Sequence, residues 1–267
     1  MAKAGISVIA HRGGREWAPE NTLRAFTYAL ELGVDGIELD VQRCASGELV
    51  VIHDHDLSRT TNGGGLVAEA SLDELKRLSA GLWLDKEFYA EKIPLLTEVL
   101  DLVSGQCLLN IEIKAAPVQF PDIEEELLAL LEGYVHPETI LISSFDHPCI
   151  ERLAALLPQD SGIKTALLAD AILLDLPAYA ARLKASYYHP NFSTLRSDIV
   201  DQAHAAGLKV NAWTLNNRSQ WAQAVDMGVD GIVTGDPEEL MIFCGRALPA
   251  GTVSPLSPQP PVGKIED

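Results

Sequence analysis

The sequence predicts an α/β fold, a single (β/α)8 TIM barrel, and three observations carry that expectation. Short β-branched runs alternate with longer helix-like stretches from end to end, which implies right-handed βαβ units and a parallel sheet. Eight such units occupy about 240 residues, the size of one closed barrel. Charged residues interrupt the apolar runs at the C-terminal ends of several strand candidates, where barrels of this class gather their active sites.

The first strand candidate is ISVIAH (6–11). Its short apolar run has a single lysine before it and leads straight into charged residues. It lacks the long apolar region and small-residue cleavage site of a signal peptide, so it reads as a strand. A helix is predicted over 20–32, with Asn21 or Thr22 as its cap, Leu23, Phe26, Ala29 and Leu30 on one face, and Gly33 as its stop. DGIELDV (35–41) is the second strand. Residues 54–90 then break the rhythm with a GGG run (63–65) and the helical piece SLDELKRLS. An excursion of this length between a strand and the next helix is an insertion, and at a barrel mouth such insertions are usually functional.

The remaining strands are CLLNIEI (107–113), TILISS (139–144), GIKTALL (162–168), ASYYH (185–189), LKVNAW (208–213) and GIVTG (231–235). Helices are predicted over 94–104, 121–132, 146–157, 176–184, 196–206, 216–227 and 237–243, and Gly207 and Gly228 each end one just before a strand. From about Leu248 the chain is rich in Pro, Ser and Gly and is expected to be disordered. The expected organisation is therefore a barrel over 1–247, with its insertion at about 54–90, and a tail over 248–267.

An apolar fraction of 47% suits a globular chain with a large core, while the formal charge of −18 argues against nucleic acid or an anionic membrane as the main partner. An anionic substrate must then be drawn in by local positive charge or a metal. Cys44, Cys107, Cys149 and Cys244 are widely separated and form no CxxC pair, so they read as small buried hydrophobes in a reducing compartment. No window reaches the apolar length of a bilayer span, and the cytoplasm is the expected location.

Glu38 and Asp40 lie two apart on a predicted strand and so point to the same face; Glu112 and Lys114 repeat that spacing on another. Carboxylates converging from neighbouring strands repel one another unless a cation joins them, and hard oxygen donors favour Mg²⁺ or Ca²⁺. His11 ends the first strand and His53 ends the run ELVVIHD; beside three carboxylates, two imidazoles form a candidate general acid–base couple. Arg12 and Lys114 supply the fixed positive charge that a phosphate needs. A rival reading takes His53 and His55 as the HxH ligand pair of a zinc hydrolase, with His189 and Asp236 as further ligands. It lacks a lysine after TILISS and a histidine after GIKTALL.

As a set, HRGGREWAPENTLRAF (11–26), GIELDVQRCASGELVVIHDHDLSRTTNGGG (36–65), IPLLTEVLDLV (93–103), LNIEIK (109–114) and AGLKVNAWTLN (206–216) resemble the glycerophosphodiester phosphodiesterase family. They stand in the family's order and span nearly the whole chain before the tail. The resemblance implies a (β/α)8 barrel with an insertion after the second strand, a metal site of Glu38, Asp40 and Glu112, and His11 and His53 as general base and acid. It also implies that Arg12 and Lys114 hold the phosphate. Trp213 matches the family's aromatic at the end of the seventh predicted strand, where it can line the substrate; a core tryptophan is the other reading. One departure is Gly235 after Thr234, where the family usually has an acidic residue or Asn. The implied substrate is a small-molecule glycerophosphodiester, with no nucleic acid and no membrane insertion, and a homo-oligomer is compatible with the sequence. A phospholipase on the same barrel and a phosphate-binding barrel without catalysis are the competing functions.

Overall fold

The computed structural model describes residues 5–114, 120 and 122–249. Among these, eight parallel strands close a barrel: β1 (Ser7–His11), β2 (Gly36–Arg43), β4 (Leu108–Ile113), β5 (Ile140–Ser144), β6 (Lys164–Ala169), β7 (Tyr187–Pro190), β8 (Lys209–Ala212) and β9 (Gly231–Thr234). Closure comes from β1, which pairs with β9 on one side and with β2 on the other. β3 (Leu49–Val51) adds to β2 as an antiparallel ribbon outside the barrel, in register with Val41, Gln42 and Arg43.

Each predicted strand agrees with an observed one to within two residues at either end. β3 is the element that pattern reading leaves out. Its three residues are too few to show a period, and it reads as a short apolar run until β2 is there to pair with it. The helices also match, with α1 (Leu23–Leu32) starting three residues later than expected. Residues 20–22 serve other ends: Thr22 caps the helix by accepting from Ala25 N, and Glu20 and Asn21 turn their side chains into the barrel mouth.

Alternation along the strands divides the molecule into two apolar layers and one polar one. On β2, Ile37, Leu39 and Val41 face outward and join the main core with Phe26, Ala29 and Leu32 of α1 and with Val99 and Val103 of α3 (Leu96–Val103). A separate cluster, Leu141, Ala166 and Tyr187 with Leu108 against it, fills the lumen at the strands' N-terminal ends. Above that plug the inward positions become polar: Glu38, Asn110, Ser143, His189 and Asn211 are all buried. A buried polar layer is costly unless partners satisfy it, so its placement marks the functional end of the barrel.

The segment between β3 and α3 has a core of its own. Val50, Ile52, Leu57, Val67, Leu75, Ala80 and Ile93 pack together with Cys44. Its helix α2 (Leu72–Arg77) starts at a reciprocal cap in which Ser71 N donates to Glu74 Oε2 at 2.8 Å and Ser71 Oγ accepts from Glu74 N. This packing makes the insertion a rigid shoulder beside the mouth. No helix among the described residues is long and apolar enough to cross a membrane. All four cysteines are buried, and burial pushes the Cys107 and Cys149 thiols up to about 12. The tail expected over 248–267 lies outside the described residues except for Leu248 and Pro249, and Leu248 packs against the core.

Candidate active site

A cavity of about 90 Å³ opens at the C-terminal end of the barrel, lined by His11, Arg12, Glu38, His53, Glu112, Lys114 and Trp213 among others. Asp40 lies directly behind it, with Lys114 Nζ 3.5 Å from Oδ1. The eight residues that the family resemblance implies are thus brought to one place, from β1, β2, β4, the end of β8 and the turn after β3, whereas His55 and Asp236 of the rival reading do not line the cavity.

The local chain explains how each side chain gets there. Arg12 has φ +53° and Gly13 φ +84°, so the chain turns sharply as it leaves β1. A Cβ on Gly13 would stand 2.7 Å from the Ala25 Cβ, which is why the turn packs against α1 only with glycine there. The turn aims Arg12 N at Glu38 Oε2 (2.9 Å) and Arg12 Nη1 at Glu20 Oε1 (2.7 Å), with Nε 3.4 Å from Asp40 Oδ2. Asn21 Nδ2 donates to Asp40 Oδ2 at 2.8 Å.

Glu38, Asp40 and Glu112 each place a carboxylate oxygen within 4.8 Å of the others, and all three are buried. Glu38 Oε1 and Asp40 Oδ1 have no hydrogen-bond partner among the described residues. Burial, and then the charges of Asp40 and Glu112, hold Glu38 well above the usual carboxylate range. Burial and the charge of Asp40 likewise raise Glu112 to about 7. Burial would raise Asp40 too, but Arg12 and Lys114 outweigh it and hold that carboxylate below its ordinary value. Three buried carboxylates, two of them with an oxygen that no hydrogen bond satisfies, fit a hard divalent cation; Glu112 Oε1 accepts from Lys114 Nζ at 2.6 Å.

The zinc reading fails on the same geometry. His55 turns its Nδ1 to Gln42 Oε1 at 2.8 Å, and His53 turns its own to Asp54. Neither joins the acidic trio, which is the one metal-capable group among the described residues.

The two histidines occupy different surroundings. His11 is half-buried, and desolvation followed by the charges of Arg12 and Arg15 lowers its pKa well below the ordinary value, so it is neutral near pH 7. His53 is also lowered by burial, but the carboxylates of Asp40 and Asp54 oppose that shift. Its Nδ1 is 2.5 Å from Asp54 Oδ1. Asp54 is in turn held by Arg59, which also binds Glu20 at 2.8 and 3.1 Å. Hydrogen bonds from Arg59 keep Asp54 well below the usual carboxylate range. The chain Arg12–Glu20–Arg59–Asp54–His53 therefore links the two sides of the mouth, and Gln42 Nε2 holds its far end through the carbonyls of Ile52, His53 and Asp54.

Sequence reasoning missed Glu20, Gln42, Asp54 and Arg59, although all four lie inside quoted motifs. It also missed Phe145, whose ring stands edge-on to Trp213 at 5.4 Å and 6.0 Å from Lys114 Nζ, making an aromatic wall. Trp213 is a half-buried lining residue rather than a core one, anchored by Nε1 donating to His189 O at 2.8 Å. The composition gives no sign of an apolar rim, yet Phe145, Ile172 and Leu174 are exposed on the connections leaving β5 and β6 at this end.

With that geometry in place, comparison with known proteins is informative. The model of the Glycerophosphoryl diester phosphodiesterase family matches residues 11–239. A glycerophosphodiester phosphodiesterase of Caldanaerobacter subterraneus subsp. tengcongensis is 41% identical, covering 88% of this chain and 96% of its own. One of Bacillus altitudinis is 38% identical, over 86% and 95%. Among solved structures, an Oleispira antarctica phosphodiesterase in complex with the product sn-glycerol-3-phosphate superposes with a TM-score of 0.84 at 31% identity, over 90% and 96% of the two chains.

Proposed function

The chain belongs to the glycerophosphodiester phosphodiesterase family and is a phosphoric diester hydrolase, and on that premise we propose that it cleaves glycerophosphodiesters to sn-glycerol 3-phosphate and an alcohol by two-histidine acid–base catalysis at a divalent metal. One observation carries the proposal: a trio of buried carboxylates, two of which line the cavity at the C-terminal end of the barrel, stands beside two histidines in contrasting surroundings. The product-bound relative supports the choice of substrate.

Glu38, Asp40 and Glu112 would hold Mg²⁺ or Ca²⁺, which supplies Lewis-acid stabilisation of phosphoryl charge. Arg12 and Lys114 border the same space and hold the phosphate oxygens. Arg12 commits Nη1 to Glu20 and turns Nε toward Asp40, which fixes the plane of its guanidinium fork. His11, neutral in its half-buried position, takes the proton of the glycerol 2-hydroxyl as that oxygen attacks phosphorus. His53, its Nδ1 held by Asp54, donates from Nε2 to the departing alcohol. In the second half the roles reverse: His53 takes a proton from water, and His11 returns one to the 2-oxygen as the cyclic phosphate opens. Phe145 and Trp213 flank the substrate opposite the carboxylates.

Asp54 acts through His53, so its removal has a defined sign. An adjacent anion favours imidazolium; Asp54→Asn therefore lowers the His53 pKa further. The acid must be protonated to work, so the high-pH limb of the kcat profile moves to lower pH, and kcat near pH 7 falls. An unshifted limb would show that Asp54 does not serve His53.

³¹P NMR during turnover of glycerophosphocholine tests the assignment of function. Appearance of glycerol 3-phosphate, after a transient cyclic phosphate, is the expected result; phosphocholine as product would mean that the other ester bond breaks. The exposed Phe145, Ile172 and Leu174 favour a second reading, in which diesters of apolar alcohols are also accepted. Long-chain diesters turned over as fast as glycerophosphocholine would support it.

A further inference from the structure

On the side of the lumen away from the carboxylates, His189 has no role in the mechanism above, yet its surroundings are those of a ligand contact. It lies on β7, four strands from β2 in either direction round the barrel, and so stands across the lumen from Glu38 and Asp40. The residue is 1% exposed and lines the cavity that holds His11, His53 and Glu112. Asn211 Nδ2 donates to His189 Nε2 at 3.1 Å. That bond occupies the Nε2 lone pair and leaves the proton of the neutral ring on Nδ1. Nδ1 is buried and has no hydrogen-bond partner among the described residues. Burial lowers the ring's pKa to about 3, so it stays neutral at any working pH.

The strand next door is shaped to keep Asn211 in place. Gly231 pairs with Asn211, and a Cβ there would stand 2.4 Å from Asn211 Oδ1, so the glycine makes room for the amide. The Tyr187 ring lies edge-on to the imidazole at 6.0 Å. A buried N–H with a fixed tautomer and no acceptor is costly to keep, and the chemistry that satisfies it is an oxygen with a free lone pair.

We propose that His189 is a specificity residue, whose Nδ1–H donates to the terminal hydroxyl of the glycerol moiety and selects diesters of glycerol over diesters of alcohols lacking that hydroxyl. This rests on the glycerophosphodiester reading above. With phosphate held by Arg12 and Lys114 on the β1–β4 side and the 2-hydroxyl beside the histidines, the three-carbon chain points across the lumen. The hydroxyl at its far end is the group that reaches β7. A quaternary ammonium head group has no lone pair to offer Nδ1–H, so the contact discriminates the glycerol end and not the choline end.

The test compares glycerophosphocholine with the phosphocholine diester of propane-1,2-diol, which keeps the attacking 2-hydroxyl and lacks only the terminal one. Wild-type kcat/KM favours the glycerol diester by at least ~10-fold. His189→Leu loses that factor on the glycerol diester and changes little on the propanediol diester, while His189→Gln, which keeps an N–H donor, recovers part of it. Equal losses on both substrates, or a wild type indifferent to the terminal hydroxyl, overturn the proposal. Calorimetric titration with sn-glycerol 3-phosphate and with propane-1,2-diol 1-phosphate, Mg²⁺ present, reads the same contrast without turnover. An inactive wild type would sink the functional reading by itself, and the binding contrast would still decide His189: tighter glycerol 3-phosphate binding lost in His189→Leu supports it, and equal binding of the two phosphates overturns it.

Discussion

Replacing His53 with alanine is expected to lower kcat on glycerophosphocholine by at least ~10²-fold, and replacing His11 to do the same. Proton transfer is the task assigned to both rings, so the loss appears in kcat and not mainly in KM. His53 is part-exposed at the mouth, and its removal leaves no sealed core cavity, so thermal stability should stay near that of the wild type. The double variant should cost much less than the product of the single losses, because the two rings act in one proton-transfer cycle. Near-normal kcat in either single variant would remove that histidine from the couple.

The second large effect is expected at the carboxylates. Burial and two neighbouring charges already raise Glu38, so full ionisation of the three carboxylates is unfavourable when no cation joins them. Glu38→Gln removes one charge from that cluster while keeping the shape. The metal-free variant should therefore melt no lower than the metal-free wild type. It should, however, lose the rise in Tm that Mg²⁺ or Ca²⁺ gives the wild type, and kcat/KM should fall by more than ~10²-fold. An undiminished metal-induced Tm shift in Glu38→Gln would show that the cation binds elsewhere. Reading Tm beside activity separates loss of the ion from damage to the acid–base pair.

The fold was legible because its strands carry their own period. β2 alternates outward Ile37, Leu39 and Val41 with inward Glu38 and Asp40, and that alternation identifies both the strand and its chemical face from residue types alone. Gly33 at φ +78° and the Thr22 cap bound α1 by local chemistry, also readable in sequence. What stayed hidden depends on contacts between distant segments. Arg59 meets Glu20 across 39 positions of sequence, and nothing near either residue announces the pair. Phe145 becomes a wall only because β5 and β8 bring it to Trp213. His189 carried a signal, a polar residue at an inward position of an otherwise apolar strand. Its meaning still required Asn211 and Gly231 from the next two strands. β3 likewise exists only by pairing with β2.

The central claim is that this barrel hydrolyses glycerophosphodiesters with a hard cation on Glu38, Asp40 and Glu112. Its most direct test is release of glycerol 3-phosphate from glycerophosphocholine after treatment with EDTA, and again after Mg²⁺, Ca²⁺ or Zn²⁺ is restored. Activity abolished by EDTA and recovered with Mg²⁺ or Ca²⁺ is the predicted result. A folded protein that releases no glycerol 3-phosphate with any of the three ions, or one unaffected by EDTA, would contradict it.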